Sequence, residues 1–416
     1  AGTLFLVLPE ITVSEVEKRK LSPFPNYSLD SLFYGSYMDS VDLYIADHFP
    51  YREDWMELNF YLRDLRGKQN EEEAFYEAPA LNVEIDKEED QELIEDTTTV
   101  LDPDEEFREE KVERNNGILI SDGQALQIFG GNDQMAAAYA KTVNMYRDEL
   151  GDSVKIFTVV IPTPAEFYLP SKYDHLKGKE RKNLNKICES LNPGITCVDA
   201  YSKMEANQDK YLYFRTDHHW TGLGAYYAYT AFCESAGITP PALSQMERNV
   251  KKNFFGSLYQ LTKNQQLAEN PDSVEYWKVP NSYTVERFEK WDQFTPLKGS
   301  LYAEYASGGN SYGVFLGGDK ALMVVETGNR NGKVAMILKN SYGNPFSTYF
   351  AYNFERVVIV DYRYFSRGVI PVMQYYGVNH LVFINGAMSA NTPYHINRIR
   401  RIMNAPAGVR VLEPPL

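Results

Sequence analysis

Two short polar blocks carry residue types suited to nucleophilic chemistry. Arg215-Thr216-Asp217-His218-His219-Trp220 sets an acid beside two imidazoles, and Lys339-Asn340-Ser341-Tyr342-Gly343-Asn344 sets a serine between an apolar run and a helix-like stretch. A serine at such a strand-to-helix turn exposes its hydroxyl where backbone N–H groups can stabilise an oxyanion. Gly343 permits a tight bend, and Asn344-Pro345 reads as a helix N-cap followed by proline at the first helical position. The block is not G-x-S-x-G, so the ordinary α/β-hydrolase elbow is not matched. Asp217 and His219 are two residues apart, which on extended backbone puts both side chains on one side of the chain. The acid could then orient the imidazole while the other ring nitrogen faces a hydroxyl. Ser341, His219 and Asp217 are therefore the candidate catalytic residues. His218 would point the other way, to packing or substrate contact. A metal held by Asp217, His218 and His219 is the competing reading, but metal-dependent phosphoesterases with this motif need further Asp-rich segments, and none is evident. No metal and no cofactor is assigned.

Around these blocks, Arg215, His218, Trp220, Tyr342 and Arg363 supply charge, polar tips and ring surfaces suited to a sugar, and each is equally suited to packing. They form a tentative substrate-binding set. His380 and Asn385 border a late apolar run and read as structural, the alternative being a place near the polar blocks at the same end of the sheet, and His48, beside Pro50, reads as a helix-entry residue.

The elements that must position these residues follow an alternating order from Gly117. GILIS is followed by a helix from about residue 133 to 150, then VKIFTVVIP, a nearly continuous apolar strand of the kind buried on both faces. A helix near 178–191 leads to ITCVDA, and TDHHW precedes a helix from Gly222 to Ala236, stopped by Gly237 and Pro240-Pro241. Residues 242–310 break the pattern with FFGSLYQLT, VEYWKVP and YTVERFEKW, read as strands of an inserted subdomain or cover. The order resumes with KVAMILK, a helix after Pro345, RVVIVDYR, a helix near Met373 and HLVFING. The expected fold is a three-layer α/β core with a mostly parallel sheet. In open sheets of this kind reactive groups gather at the carboxyl ends of the strands, where both polar blocks fall.

The remaining sequence divides by charge. The chain of 416 residues carries a net charge of −15, but residues 71–110 alone hold 18 acidic and 2 basic residues, and the rest is balanced at 39 and 40. A nucleic-acid reader needs a basic face, and none is present. The expected organisation is an N-terminal extension over 1–70 with an amphipathic helix on Trp55, Leu58, Tyr61, Leu62 and Leu65, an acidic surface insertion over 71–112, and an α/β domain over 113–416. Three cysteines and six histidines include no zinc-type spacing. Cys188 and Cys197 bracket a turn and either close a disulfide, in an oxidising compartment, or remain two buried thiols. The opening Ala1-Gly2 and the apolar Thr3 to Leu8 read as the trailing end of a signal or anchor segment that has been cut away, which implies an extracytoplasmic protein.

TDHHWTGLGAYYAY, with KNSYGNPF downstream and DHFPYR upstream, resembles the bacterial DHHW proteins, of the SGNH-hydrolase-like group that includes the alginate O-acetyltransferase proteins. The resemblance runs in outline from Asp47 to Tyr364, the acidic insertion excepted. It implies an SGNH-hydrolase-like, flavodoxin-like core with an inserted β-rich subdomain and an N-terminal helical extension. In that group an Asp-x-His segment precedes the serine in the chain, and the resemblance carries Asp217, His219 and Ser341 over as a Ser-His-Asp triad. Asn340 stands where related sequences commonly have an acidic residue. The implied activity is acyl-ester chemistry, an O-acetyltransferase or acetylesterase acting on a cell-envelope or secreted carbohydrate, with a membrane-bound acyl donor protein as a candidate partner. The rival reading is a glycan-binding or scaffold protein that kept the fold and lost turnover.

Overall fold

The computed structural model describes residues 117–290 and 295–404 continuously, together with isolated residues and short stretches before residue 77. The expected N-terminal helix lies largely outside the described residues, and so does most of the acidic segment. Val13–Ser14 (β1) and Arg19–Lys20 (β2) pair with each other. Glu73–Tyr76 (β3), Ile118–Ser121 (β4) and Gln124–Gln127 (β5) form a three-stranded antiparallel sheet. GILIS thus joins a small sheet of its own. The cause is Asp122-Gly123, both at positive φ (51° and 70°), a dipeptide that folds β4 back onto β5 as a tight hairpin.

The large sheet has eight strands. Its parallel part consists of Lys155–Ile161 (β6), Ile195–Cys197 (β7), Val334–Lys339 (β13), Arg356–Asp361 (β14) and His380–Gly386 (β15), which lie side by side as β14-β13-β15-β6-β7. A flavodoxin-like sheet runs 2-1-3-4-5. This sheet has that order when β13, β14, β15, β6 and β7 take places one to five, so the last two strands of the pattern come first in the chain. The arrangement is a circular permutation, and it explains why the Asp-x-His block precedes the serine block.

The excursion between Glu247 and Val314 divides. Glu247–Phe254 (β8) and Asp272–Lys278 (β9) make a separate two-stranded sheet. Tyr283–Phe288 (β10) and Leu297–Lys298 (β11) extend the large sheet through Leu322–Thr327 (β12), which runs antiparallel to β14. FFGSLYQLT does not form a strand throughout. Only its start belongs to β8, and Ser257–Thr262 is a short helix with Gly256 as N-cap, burying Leu258 and Thr262 at helical spacing.

Alternate strand residues face opposite layers. Phe157, Val159, Ile337, Ile359 and Val382 join one buried cluster with Gly222–Ala236 and Gly343–Asn353. Ile156, Met336, Leu338, Val358 and Leu381 join another with Asp133–Leu150, Lys179–Glu189, Val369–Tyr376 and Pro393–Arg401. This is the three-layer core the sequence predicts. Cys188 and Cys197 are disulfide-bonded, with Cα atoms 5.5 Å apart, and tie Lys179–Glu189 to β7. Cys233 is free and buried. Among the described residues no helix is long and apolar enough to cross a membrane.

Candidate active site

Ser341 lies one residue beyond the end of β13, after Asn340, at the carboxyl end of the sheet and beside β15, where the strand order reverses. The helix after it begins at Gly343, two residues earlier than Asn344-Pro345 alone implies. Gly343 is required there because a Cβ on it would lie 2.4 Å from the Cβ of Lys339. Asn340 is buried; its Nδ2 donates to Ser389 Oγ at 2.8 Å and its Oδ1 accepts from the Tyr342 amide at 3.2 Å, fixing the turn that carries the serine.

The other block is not extended backbone. Tyr213 and Trp220 pair as an isolated antiparallel bridge, and the residues between them form a tight series of bends. Asp217 Oδ1 accepts the backbone N–H of His219 at 2.9 Å. This Asx-type turn, rather than strand alternation, brings the acid beside the imidazole. The same oxygen accepts from His219 Nδ1 at 2.6 Å, and His219 Nε2 lies 2.8 Å from Ser341 Oγ. The three side chains therefore form one continuous line. Asp217 and His219 are buried, and Ser341 is partly exposed to solvent.

His218 does not point away. Its ring centroid is 3.8 Å from that of His219, and its Nδ1 is 2.7 Å from Ser257 Oγ and 3.8 Å from Asp217 Oδ1. The bend explains this, because consecutive residues of a tight turn can face the same way. Asp217, His218 and His219 hold their potential ligand atoms within 4.8 Å of one another. The hydrogen bonds already described engage Asp217 Oδ1, both ring nitrogens of His219 and Nδ1 of His218.

Residues outside the two motifs support the acid. Asp217 Oδ2 accepts the Ser257 amide at 2.8 Å. Thr216 Oγ1 accepts the Gly256 amide at 2.9 Å and donates to the buried carboxylate of Asp272 at 2.5 Å. Asp272 also takes the amides of Arg215 and Thr216, at 2.9 and 2.7 Å, and the Tyr211 hydroxyl. One carboxylate from β9 thus grips the two residues preceding Asp217. Burial opposes ionisation of Asp217, but His219 and His218, the hydrogen bond from His219 and the Ser257 amide hold its carboxyl well below the usual carboxylate range. It stays anionic and acts as an acceptor.

Trp220 is fully buried and its Nε1 donates to the Tyr342 carbonyl at 2.9 Å. The Tyr342 hydroxyl donates to the His218 carbonyl at 2.6 Å. These two residues stitch the blocks together. The Arg215 guanidinium donates to Pro271 O at 3.1 Å and pairs with Asp272. Arg363 is bound by Asp361 (2.9 Å) and Asp319 (2.7 Å), which also hold the buried Lys339 at 2.6 and 3.1 Å. Burial again opposes the charge on Asp319, and Arg363 and Lys339 keep its carboxyl below the usual range. Asn385 donates to the Tyr139 hydroxyl at 2.8 Å in the core. His380 begins β15, at the end of the sheet opposite Ser341, and burial lowers it to about 4. His48 stacks on Tyr44.

Sequence reasoning missed Tyr312, Gly256, Ser257, Thr216 and Asp272. The Tyr312 ring stacks on His219, with centroids 4.1 Å apart. Only Gly256-Ser257 carried a local signal, a helix start inside FFGSLYQLT.

The DHHW protein family matches residues 17–98 and 110–360. The chain belongs to the DHHW family. Among solved structures it is similar to a DHHW family protein from Eubacterium siraeum, at 31% identity and a TM-score of 0.64, over 70% of this chain and 96% of that one. It is also similar to Bacillus cereus PatB1, at 20% identity and a TM-score of 0.56, over 67% of this chain and 98% of that one. PatB1 has also been solved with a sulfonyl adduct, at 19% identity and the same TM-score. The PatB1 likeness is one of fold. No curated protein matches the chain. The two polar blocks of this DHHW chain, 122 residues apart in sequence at His219 and Ser341, meet at one end of one sheet.

Proposed function

We propose that this DHHW protein is an extracytoplasmic acyl-ester enzyme, an O-acetyltransferase or acetylesterase acting on a cell-envelope or secreted carbohydrate. The observation that carries the reading is the line Asp217–His219–Ser341, with links of 2.6 and 2.8 Å, ending in a serine open to solvent. Contacts in this range are what proton transfer from a serine to an imidazole requires. The Cys188–Cys197 disulfide supports an oxidising compartment.

In this reading Ser341 Oγ attacks the acyl carbonyl carbon as its proton passes to His219 Nε2. Asp217 fixes the tautomer with the proton on Nδ1 and offsets the imidazolium charge. The position of Ser341 at the N-terminal end of Gly343–Asn353 favours the oxyanion that develops on the carbonyl oxygen. Collapse expels the first alcohol, which takes the proton from Nε2 and leaves an acyl ester on Ser341. An incoming hydroxyl, from a sugar or from water, gives its proton to Nε2 and attacks that ester. Collapse then returns the proton to Ser341 Oγ. Transfer rather than hydrolysis follows when a sugar hydroxyl is bound where water would otherwise stand. The carbohydrate and a membrane-bound acyl donor are parts of the proposal that rest on the family's chemistry.

The test is covalent labelling. A serine-directed sulfonyl fluoride should add to the peptide containing Asn340–Asn344, and Ser341→Ala should abolish the adduct. Absent labelling, or labelling unchanged in Ser341→Ala, would return the protein to the binding or scaffold reading.

A further inference from the structure

Tyr312 lies in Gly308–Val314, a short 3-10 segment outside both polar blocks. Its ring is stacked on the His219 imidazole, 14° from parallel, and its hydroxyl donates to the Ser341 carbonyl oxygen at 2.9 Å. One side chain thus touches the base with its face and the backbone of the nucleophile with its polar tip. The ring is itself wedged edge-on against Phe214, which precedes the Asp-x-His loop, at 6.1 Å between centroids, and against Phe315 at 5.5 Å. Its segment is pinned by the Ala303 amide on the Val314 carbonyl at 2.7 Å.

We propose that Tyr312 is a positioning residue for the proton transfer, holding His219 in line with Ser341 and favouring the imidazolium formed when the serine gives up its proton. The inference rests on the acyl-ester reading above. An aromatic face attracts a cation lying over it, so stacking stabilises the charged ring more than the neutral one. The groups that face His219 are Asp217 and His218 from its own loop, Ser341 and Tyr342 from the turn before Gly343–Asn353, and Tyr312. Asp217 is the only one of these that carries a fixed charge near neutral pH. Burial, followed by the charges of Asp217 and Asp319, pushes the Tyr312 phenol well above its ordinary range, against the pull of Arg363, so it remains a neutral donor.

The experiment titrates His219 by NMR with labelled histidine in the wild type and in Tyr312→Phe, Tyr312→Trp and Tyr312→Leu, and measures the rate of sulfonylation of each by a sulfonyl fluoride. Tyr312→Leu should lower the His219 midpoint by about one pH unit and slow sulfonylation by about tenfold or more. Tyr312→Trp should hold the midpoint near the wild type. Tyr312→Phe should hold it too, yet slow sulfonylation, because only the hydroxyl on the Ser341 carbonyl is lost. A midpoint and rate unchanged in Tyr312→Leu would overturn the proposal, as would equal midpoint shifts in the Leu and Trp variants. If Tyr312→Leu does not fold, a sulfonylation rate unchanged in Tyr312→Phe together with a midpoint shifted in Tyr312→Trp overturns it. A wild-type protein that resists sulfonylation would fail the acyl-ester reading, while the His219 midpoints still decide whether the stacked ring favours the cation.

Discussion

Gly256 lies so close to Asp217 that a Cβ on it would stand 2.1 Å from the Asp217 Cβ and 2.3 Å from Oδ2. No alanine fits without moving the acid or the loop, and the Ser257 amide that Asp217 accepts belongs to the next residue. Gly256→Ala should therefore displace the carboxylate and lower turnover of an acetyl ester by about a hundredfold, the scale on which a misplacement near 1 Å acts. Circular dichroism should show a folded protein. Wild-type turnover in this variant would mean that the placement of Asp217 does not govern the chemistry.

The two adjacent histidines meet different serines: His219 Nε2 lies against Ser341 and His218 Nδ1 against Ser257. His219→Ala should reduce hydrolysis of a nitrophenyl acetate to background, since loss of a triad base removes several powers of ten in rate. His218→Ala should keep measurable turnover, because its Nδ1 is spent on Ser257. The reverse pattern would move the base to His218, and equal loss accompanied by sensitivity to a chelator would favour a metal site.

Glu180 offers a pH signature away from the site. Burial lifts its carboxyl to about 8, against the hydrogen bonds from the Thr163 amide (2.7 Å) and hydroxyl (2.8 Å), with the charge of Glu166 adding to the rise. The ordinary value is 4.5. Between about 4.5 and 8 the folded protein keeps a proton that the unfolded chain has released, so stability falls as pH rises through that window. Denaturant melts at pH 5 and pH 8 should show the loss in wild type and a smaller one in Glu180→Gln, whose amide mimics the protonated acid. Equal losses would contradict the assignment.

We further propose that the acidic segment is peripheral. Excision of residues 78–112 with a short Gly-Ser joint keeps β3 and should leave a cooperative thermal transition within a few degrees of wild type, because loop length costs little closure entropy. A broad or absent transition would show that the segment is integral to the fold.

The long elements were legible because their patterns are strong. β6 is an unbroken apolar run, and Gly222–Ala236 has Thr221 as a cap and Gly237 as a stop. β12 leaves little trace because LMVVET follows a stretch without periodicity, and β4 resembles a strand of the main sheet in pattern, its separate pairing resting on the Asp122-Gly123 hairpin. At the site, Asp217, His219 and Ser341 were legible from residue type and the resemblance, but the reason for their alignment was not. A bend whose shape is set by Asp272, 56 residues beyond Thr216, leaves no periodic trace. Tyr312 was hidden for the same reason: a tyrosine in a glycine-rich coil looks like any other until the fold sets it on an imidazole.

The permuted strand order has a consequence for how the protein is made. β15 is the strand that joins β6 and β7 to β13 and β14 within the sheet, and it is the last strand synthesised among those described. A chain stalled before His380 already contains Asp217, His219 and Ser341, yet its two half-sheets have no shared ladder. The ladder that carries both polar blocks on one sheet is therefore completed only once β15 has been made, through contacts of long sequence separation that form slowly.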